Sequence, residues 1–274
     1  MSSWPTIGSM DIKDLYRALD IARGAAVAAG TMLKPHYGNV ESLNKGGGDS
    51  VGGIVTKLDV EIEQYLAVAL AKFSDSVGFR GEELGAQSEA EVTWLVDPID
   101  GTAHFVRGMP FCTTMIALIE KGMVVLSVIH NFITDETYWA IKGEGAYCND
   151  KRITVSTRSL SQSILSYETH VDKPEHYERY IQVRNKANIF DTLNSGYEFS
   201  MIASGKLDGR VSVDPYGLDW DFAPGSLLVV EAGGVAANIG EKSYFYRNHD
   251  FIISNKLVYE ELTSGAEAIF PIRL

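Results

Sequence analysis

Two segments in the middle of the chain, residues 113–120 and 124–131, are almost continuously apolar. Strands with this composition are typical of a sheet that is buried on both faces, so other layers must cover each face. The chain has 274 residues, and a protein of that size buries roughly three quarters of the surface of its unfolded chain. The sequence therefore predicts one large domain or two closely packed halves, without a need for disulfide bonds.

Helical and strand patterns surround these two segments. Apolar residues three and four apart predict a helix over residues 11–33, and Thr56 with Asp59 resembles the capping box of a second helix. Further strands are expected at 93–96, 137–141, 153–155, 163–167, 189–190, 209–213 and 251–253, with helices at 175–187, 198–203, 222–231 and from 256. A glycine-rich stretch, residues 44–53, is interpreted as a mobile loop that carries Lys45. We expect two packed αβ halves, residues 1–150 and 151–274.

Composition excludes several classes of function. The net charge of -12 disfavours a nucleic-acid partner, because no basic face is available to displace counterions. No apolar stretch approaches the ~18 residues of a membrane span, and the N-terminal residues lack the pattern of a signal peptide. Two cysteines, Cys112 and Cys148, are too few for a disulfide framework and are interpreted as reduced thiols. The sequence thus predicts a cytoplasmic protein with a small-molecule partner.

The strongest local signal is the run from Trp94 to Thr102, in which a buried strand leads directly into two aspartates. Pro98 fixes its own φ and biases Asp97 toward an extended conformation, so that the carboxylates of Asp97 and Asp100 can converge. Gly101 allows backbone amides to approach an anion closely. Hard oxygen ligands suit Mg²⁺ or Ca²⁺ rather than zinc. The alternative is an Asp-Pro turn that the aspartates merely cap.

Two further acidic elements favour the metal site. Glu82 follows a short strand-like segment, and Asp221 lies in the first turn of a predicted helix, whose free amides and positive dipole end suit a phosphate. Each has a simpler interpretation, because Glu-Glu pairs are usually solvated and aspartates commonly cap helices.

Together the Gly-Glu-Glu, Asp-Pro-Ile-Asp-Gly-Thr and Trp-Asp motifs resemble the inositol monophosphatase family of lithium-sensitive, magnesium-dependent phosphatases. The resemblance extends over nearly the whole chain, including residues 55–59, 142–149 and 231–235. It implies an α/β (α+β) fold, a layered αβαβα sandwich of the sugar-phosphatase type, which usually forms a homodimer. It also implies two to three Mg²⁺ ions per site.

The resemblance assigns roles to individual residues. The metal ligands would be Glu82, Asp97, the Ile99 carbonyl, Asp100 and Asp221. Thr102, hydrogen-bonded to Asp59, would orient and activate a water for in-line attack on phosphorus, with Glu82 also part of the catalytic set. The amides of Gly101 and Thr102 would hold the phosphate. Ser195, Gly196, Glu198 and Asp214 would contact the rest of the substrate.

The chain departs from the family pattern in two places. His104 stands where the family commonly has asparagine, and we interpret it as a supporting residue rather than as a catalytic acid. In the leaving-group pocket, Asp214 is the best match to the acidic residue that contacts substrate hydroxyls, although the match could shift to Ser212. Glu198 and Asp219 could lie beside the leaving group or on the surface.

These motifs favour a magnesium-dependent phosphomonoesterase, with inositol-1-phosphate as the first-choice substrate. Histidinol phosphate and a sugar bisphosphate such as fructose-1,6-bisphosphate are the alternatives within the same class. A bisphosphate nucleotide is disfavoured because those enzymes carry insertions that this chain lacks. An alternative of another class is a catalytically silent family member that acts as a binding subunit, although such a protein would have no reason to keep every ligand.

Overall fold

A computed structural model describes residues 10–39, 43–44, 54–88 and 90–273. The predicted glycine-rich loop with Lys45 lies largely outside the described residues. The helices are α1 Ile12–Leu33, α2 Lys57–Ala71, α3 Thr102–Val106, α4 Pro174–Arg184, α5 Ser195–Ala203, α6 Asp219–Glu231 and α7 Lys256–Thr263. No helix in this part of the chain combines the length and the apolar character that crossing a membrane requires.

The strands form three sheets. A two-stranded antiparallel sheet pairs β1 Leu43–Asn44 with β2 Ile54–Val55. The large sheet contains β3 Gly78–Gly81, β4 Gly85–Ser88, β5 Val92–Asp100, β6 Thr113–Glu120, β7 Met123–Asn131, β8 Glu136–Ile141, β9 Gly145–Cys148 and β10 Lys151–Arg152. The smaller sheet contains β11 Ile164–Thr169, β12 Asn188–Asp191, β13 Gly209–Val213, β14 Val235–Asn238 and β15 Phe251–Ser254.

Helices and sheets alternate in five layers. Helices α1 and α2 cover one face of the large sheet, while α5 and α6 lie between the large and the small sheet. Helices α4 and α7 cover the outer side of the small sheet. Every residue of β6 is buried, which confirms the prediction that the central strands are covered on both faces. The layered αβαβα sandwich is therefore confirmed.

The large sheet has the strand order β10-β9-β8-β7-β6-β5-β3-β4. Its pairing of β5 with β6 is regular up to Asp97 opposite Met115, shifts register, and resumes with Asp100 opposite Thr113. The interruption falls on Pro98, which has no N–H to donate to a neighbouring strand. The bulge lies between the two aspartates, each of which keeps a partner on β6.

Most predicted elements are present, with one exception. Capping box residues Thr56 and Asp59 start α2 as predicted, and Asp11 caps α1. The predicted strand at 153–155 is wrong: β10 ends at Arg152, and the following residues form no strand. Within this stretch, the Ile153 N–H donates to the Ala146 carbonyl and the Val155 N–H donates to the Ala232 carbonyl. The two hydrogen bonds go to different segments, so the stretch does not pair along a single strand.

The large sheet ends with β10 at Arg152, and the small sheet begins with β11 at Ile164. This ordering is compatible with halves at 1–150 and 151–274, but α6 packs on both sheets. The division of the chain into two halves stays a prediction.

Candidate metal centre and active site

The end of β5 presents both aspartates of the sequence motif. The backbone N–H of Ile99 donates to Asp97 Oδ1 at 3.0 Å, which folds the carboxylate back over the bulge. The Thr114 hydroxyl donates to the Pro98 carbonyl at 2.9 Å and closes the gap in the ladder. Both Asp97 and Asp100 are almost fully buried. The motif is therefore a built site and not an exposed turn.

Asp221 joins these two aspartates from helix α6, more than 100 residues later in the chain. It lies in the first turn of α6, where the Leu218 N–H donates to its Oδ2 at 2.7 Å. One carboxylate oxygen from each of Asp97, Asp100 and Asp221 lies within 4.8 Å of the others. We call these three residues the carboxylate cluster. The sequence prediction that they share one site is consistent with this geometry.

The electrostatics of the carboxylate cluster call for a cation. Burial, followed by the negative charges of Glu82, Asp100 and Asp221, raises the pKa of Asp97 well above its ordinary value. Burial also raises the pKa of Asp100 to about 7. Burial and the charge of Asp100 raise the pKa of Asp221. Ionised carboxylates at this spacing repel one another, and either protonation or a bound cation relieves that repulsion.

Glu82 approaches the cluster from the turn after β3. Its N–H donates to the Val96 carbonyl at 3.2 Å, which fixes the turn to the neighbouring strand β5. Its charge contributes to the raised pKa of Asp97 and of Asp221, so its carboxylate lies near both. Hard oxygen donors from Glu82 and the cluster are the set that Mg²⁺ prefers, and no histidine or cysteine among the described residues joins the cluster.

Asp59 and Thr102 lie beside the Ile99 carbonyl. The Thr102 hydroxyl is 2.8 Å from Asp59 Oδ1 and 3.0 Å from the Ile99 carbonyl oxygen. Asp59 Oδ2 accepts from both the N–H and the hydroxyl of Thr56 at 2.7 Å. Burial raises the pKa of Asp59. When the Thr102 hydroxyl donates to Asp59, its lone pairs can accept a hydrogen bond from a water molecule.

The start of α5 supports Asp100. The Gly196 N–H donates to Asp100 Oδ2 at 2.6 Å, and the Asn194 side-chain amide donates to the Asp100 carbonyl at 2.7 Å. A Cβ at position 196 would lie 2.1 Å from the Thr113 hydroxyl, so only glycine fits without displacement. Ser195 and Gly196 are both buried. The structure thus places them behind a carboxylate of the cluster, and their predicted contact with substrate stays a prediction.

The comparison with known proteins agrees with this site. A family model described as the inositol monophosphatase family matches residues 14–269. The chain belongs to the inositol monophosphatase family. Its members are metal-dependent phosphatases that hydrolyse phosphate monoesters, so this chain is a phosphoric monoester hydrolase.

Individual relatives from bacteria support the assignment. The chain is 32% identical to a fructose-1,6-bisphosphatase/inositol-1-monophosphatase of Thermotoga maritima, over 85% of this chain and 89% of the relative. It is 31% identical to an inositol-1-monophosphatase of Mesorhizobium japonicum, over 91% and 96%. A solved structure of a Thermotoga maritima IMPase superposes with a TM-score of 0.80 at 29% identity, covering 90% of this chain and 95% of that one.

Two of the three acidic residues predicted near the leaving group, Glu198 and Asp219, are buried. Glu198 is fully buried and accepts from Arg210 at 2.8 Å and from the Ser166 hydroxyl at 2.7 Å. Asp219 is also buried and pairs with Arg80 at 2.8 Å. The alternative that Glu198 and Asp219 are surface residues is therefore wrong. Neighbouring donors neutralise both carboxylates, and this compensates for their burial.

Asp214 is accessible, in contrast to Glu198. It is ion-paired with Lys173, and His170 and His176 place a ring nitrogen 3.3 Å and 3.8 Å from its Oδ2. The hydrogen bond from Lys173 lowers the pKa of Asp214. Ser212, the alternative match, is buried and accepts from Arg210 at 3.2 Å. Of the two, only Asp214 is open to a ligand.

His104 contacts no carboxylate of the cluster in the described structure. Its ring packs edge-on against Phe111 with centroids 5.9 Å apart, and its buried Nδ1 has no hydrogen-bond partner there. Burial lowers the pKa of His104. A neutral imidazole packed on a ring agrees with the interpretation that it supports the site and is not a catalytic acid.

Sequence reasoning missed several supporting residues of the site. Glu63 accepts the N–H groups of Glu83 and Leu84, both at 2.8 Å, and so holds the turn that carries Glu82. Asn194 and Arg210 were likewise not identified. Glu63 lies one helical turn after Asp59, which was a usable signal because both then point from the same face of α2. For Asn194 and Arg210 the sequence offers no comparable signal.

Proposed function

We propose that this family member is a magnesium-dependent phosphomonoesterase whose first-choice substrate is inositol-1-phosphate. The observation that carries the proposal is the position of the Thr102–Asp59 hydrogen bond, because Thr102 lies two residues after Asp100 of the carboxylate cluster. Two proposed metal ligands, Asp97 and Asp100, and the water-binding hydroxyl of Thr102 thus come from one short segment. This is the arrangement that hydrolysis of a phosphate monoester by water requires.

The cluster fits the metal that the family uses. We assign two to three Mg²⁺ ions to Glu82, Asp97, the Ile99 carbonyl, Asp100 and Asp221. The fit rests on the donor chemistry, which is all oxygen, and on burial of the carboxylates, which raises their pKa values and makes their charged forms costly without a nearby cation. Bound magnesium would supply positive charge against the phosphate dianion and lower the pKa of water.

The residues of the chain orient the reactants. Thr102, with its hydroxyl proton directed to Asp59, accepts a hydrogen bond from the attacking water and fixes the direction of attack. Asp59 is the base to which that proton chain leads. Gly101, with φ +85°, turns the chain at the start of α3 and brings its own amide and that of Thr102 toward the phosphate.

A second candidate substrate is a sugar bisphosphate such as fructose-1,6-bisphosphate. The observation that favours it is the ion pair between the Lys173 ammonium and Asp214. Lys173 is half exposed and can donate to a second anionic group on the leaving group. The same ammonium repels a cationic alcohol, so it disfavours histidinol phosphate. A Thermotoga maritima relative bears a name with both the bisphosphatase and the monophosphatase activity.

A panel of phosphate-release assays tests the proposal. Inositol-1-phosphate, fructose-1,6-bisphosphate, histidinol phosphate and 3'-phosphoadenosine-5'-phosphate would be compared at equal concentration, with Mg²⁺ and with EDTA. We expect Mg²⁺-dependent release, with the highest kcat/KM for inositol-1-phosphate. A tenfold higher kcat/KM for histidinol phosphate, equivalent to about 1.4 kcal/mol, would overturn the choice of substrate. No release from any substrate would favour the silent binding subunit.

The quaternary structure is a separate part of the proposal. We assign a homodimer on the basis of the family resemblance. Light scattering behind a size-exclusion column would give a mass of twice 30.1 kDa for a dimer. A mass of one chain at assay concentration would contradict it.

A further inference from the structure

Arg210, the second residue of β13, has a side chain that is only 1% exposed. It donates to Glu198 Oε2 at 2.8 Å, to the Ser195 hydroxyl at 3.1 Å and to the Ser212 hydroxyl at 3.2 Å, and it also pairs with Glu168. A buried charge of this kind is costly unless its donors are satisfied, and here its two carboxylate partners are themselves buried. The arrangement is therefore a closed polar network inside the layer between the two sheets.

One side of this network leads to Asp100. Glu198 accepts from the Leu193 N–H at 2.6 Å and from the Thr192 hydroxyl at 3.1 Å, so it fixes the loop just before α5. Arg210 fixes Ser195, the first residue of α5, through its hydroxyl. The next residue, Gly196, donates to Asp100 Oδ2. Arg210 is thus two contacts from one carboxylate of the cluster.

The other side leads to Asp221. Glu168, paired with Arg210, accepts from the Tyr216 N–H at 3.1 Å and so holds the loop that enters α6. The guanidinium carbon of Arg210 also lies 5.3 Å from the ring centroid of Phe222, the residue after Asp221. A cation over an aromatic face is attracted to it. The start of α5, which supports Asp100, and the loop into α6, which carries Asp221, are therefore both held by Arg210 and its two carboxylate partners.

We propose that Arg210 is a positioning residue of the metal centre, which sets the distance between Asp100 and Asp221 by bridging Glu198 and Glu168. This inference rests on the proposed function only in that the carboxylate cluster binds Mg²⁺. The planar fork of arginine is needed because it reaches two carboxylates in different directions, which the single ammonium of lysine does not do. Residues that hold metal ligands in place typically change metal affinity when they are replaced.

The test compares R210K with a matched control, R158K. Arg158 also donates to a buried carboxylate, that of Asp208, at 2.8 Å and to the Gly205 carbonyl at 2.7 Å. Mg²⁺ binding would be measured by calorimetry on the EDTA-treated and dialysed protein, and kcat would be measured at saturating Mg²⁺. For R210K we expect Mg²⁺ affinity to fall about 10-fold to 100-fold, as for other supporting residues of metal sites. For R158K we expect the affinity of the unaltered protein.

Two outcomes would overturn the proposal. One is an R210K protein that melts at a lower temperature than the unaltered protein but binds Mg²⁺ with unchanged affinity, since this would make Arg210 purely structural. The second outcome applies if R210K does not fold. E198Q then keeps the shape of the Arg210–Glu198 pair and removes the carboxylate charge, and an unchanged Mg²⁺ affinity in E198Q would overturn the proposal. Because calorimetry reads binding without turnover, unaltered protein that binds Mg²⁺ but releases no phosphate would contradict the proposed function alone.

Discussion

Thr102 and Asp59 are 43 residues apart in the chain, and their side chains are joined by a hydrogen bond of 2.8 Å. The other oxygen of Asp59 accepts from the N–H and the hydroxyl of Thr56. The same carboxylate therefore caps the start of α2 and accepts from the Thr102 hydroxyl. The cap of α2 and the orientation of the Thr102 hydroxyl therefore depend on one residue.

Replacement of Thr102 by alanine removes the hydroxyl that orients water. We expect kcat to fall about 100-fold or more, the usual contribution of a positioned proton-transfer group. Mg²⁺ half-saturation should change little, because Thr102 contributes no charged ligand. Thr102→Ser keeps the hydroxyl and should keep most of the activity. Thr134→Ala, at an exposed position, is the control. Equal kcat for Thr102→Ala and the control would exclude this role.

Asp221→Asn should abolish activity but leave a folded protein. The amide removes one of the mutually repelling carboxylates, so in EDTA the variant should melt at or above the temperature of the unaltered protein. In Mg²⁺ the order should reverse, because the ion then stabilises only the intact site. Thermal melts in both buffers check this, with the exposed Asp75→Asn as control. A fully active Asp221→Asn would refute the ligand role.

The pH dependence of stability follows from the cluster. The pKa of Asp100 is raised from 3.8 to about 7, and those of Asp97 and Asp221 are raised as well. Between about pH 4 and 7 the metal-free folded protein therefore binds more protons than the unfolded chain, so its stability falls as the pH rises. We expect the melting temperature in EDTA to fall from pH 5 to pH 8 through this contribution. The increase on adding Mg²⁺ should be larger at pH 8. A Mg²⁺ effect equal at both values would contradict this account.

Gly196→Ala tests the support of Asp100. The added Cβ would lie 2.1 Å from the Thr113 hydroxyl and 2.9 Å from Asp100 Oδ2. We expect a loss of about 1–3 kcal/mol in the free energy of unfolding, as for other overpacked sites, together with weaker Mg²⁺ binding. Gly24→Ala is the control, since nothing lies within 4 Å of its Cβ position in α1. This control should gain about 0.5–1 kcal/mol. Unchanged Mg²⁺ affinity in Gly196→Ala would show that the contact is dispensable.

Lys173→Met tests the second candidate substrate. Loss of the ammonium should lower kcat/KM for fructose-1,6-bisphosphate about fivefold, equivalent to about 1 kcal/mol, the scale of an accessible ion pair. The value for inositol-1-phosphate should stay constant or rise, because Asp214 is released to accept from substrate hydroxyls. The exposed Lys72→Met serves as control. If both substrates respond equally, Lys173 does not recognise a second anionic group.

The parts of the site that were predictable are local in sequence. Asp97, Asp100 and Thr102 lie in one short run, and Pro98 and Gly101 have backbone preferences that can be read without knowing the fold. The capping box at Thr56 was predictable for the same reason, since capping depends on residues three positions apart.

The parts that could not be predicted depend on tertiary contacts. Arg210 lies within a short strand, where the pattern alone suggests an exposed charge, and only Glu168 and Glu198 make its burial tolerable. Glu198, which the family resemblance placed among the substrate contacts, is fully buried and accepts from Arg210 and Ser166, which no local pattern indicated. The false strand at 153–155 has the same origin, because its apolar residues pack against the core while its backbone bonds to two different segments, at Ala146 and Ala232.

Phosphate release from inositol-1-phosphate, followed while Mg²⁺ is titrated into EDTA-treated protein, tests the central claim most directly. We predict no release without the ion, saturable release as Mg²⁺ is added, and none at any concentration for Asp221→Asn. Release that persists in excess EDTA, or that survives the loss of the Asp221 carboxylate, would contradict the claim that these carboxylates hold the ions on which hydrolysis depends.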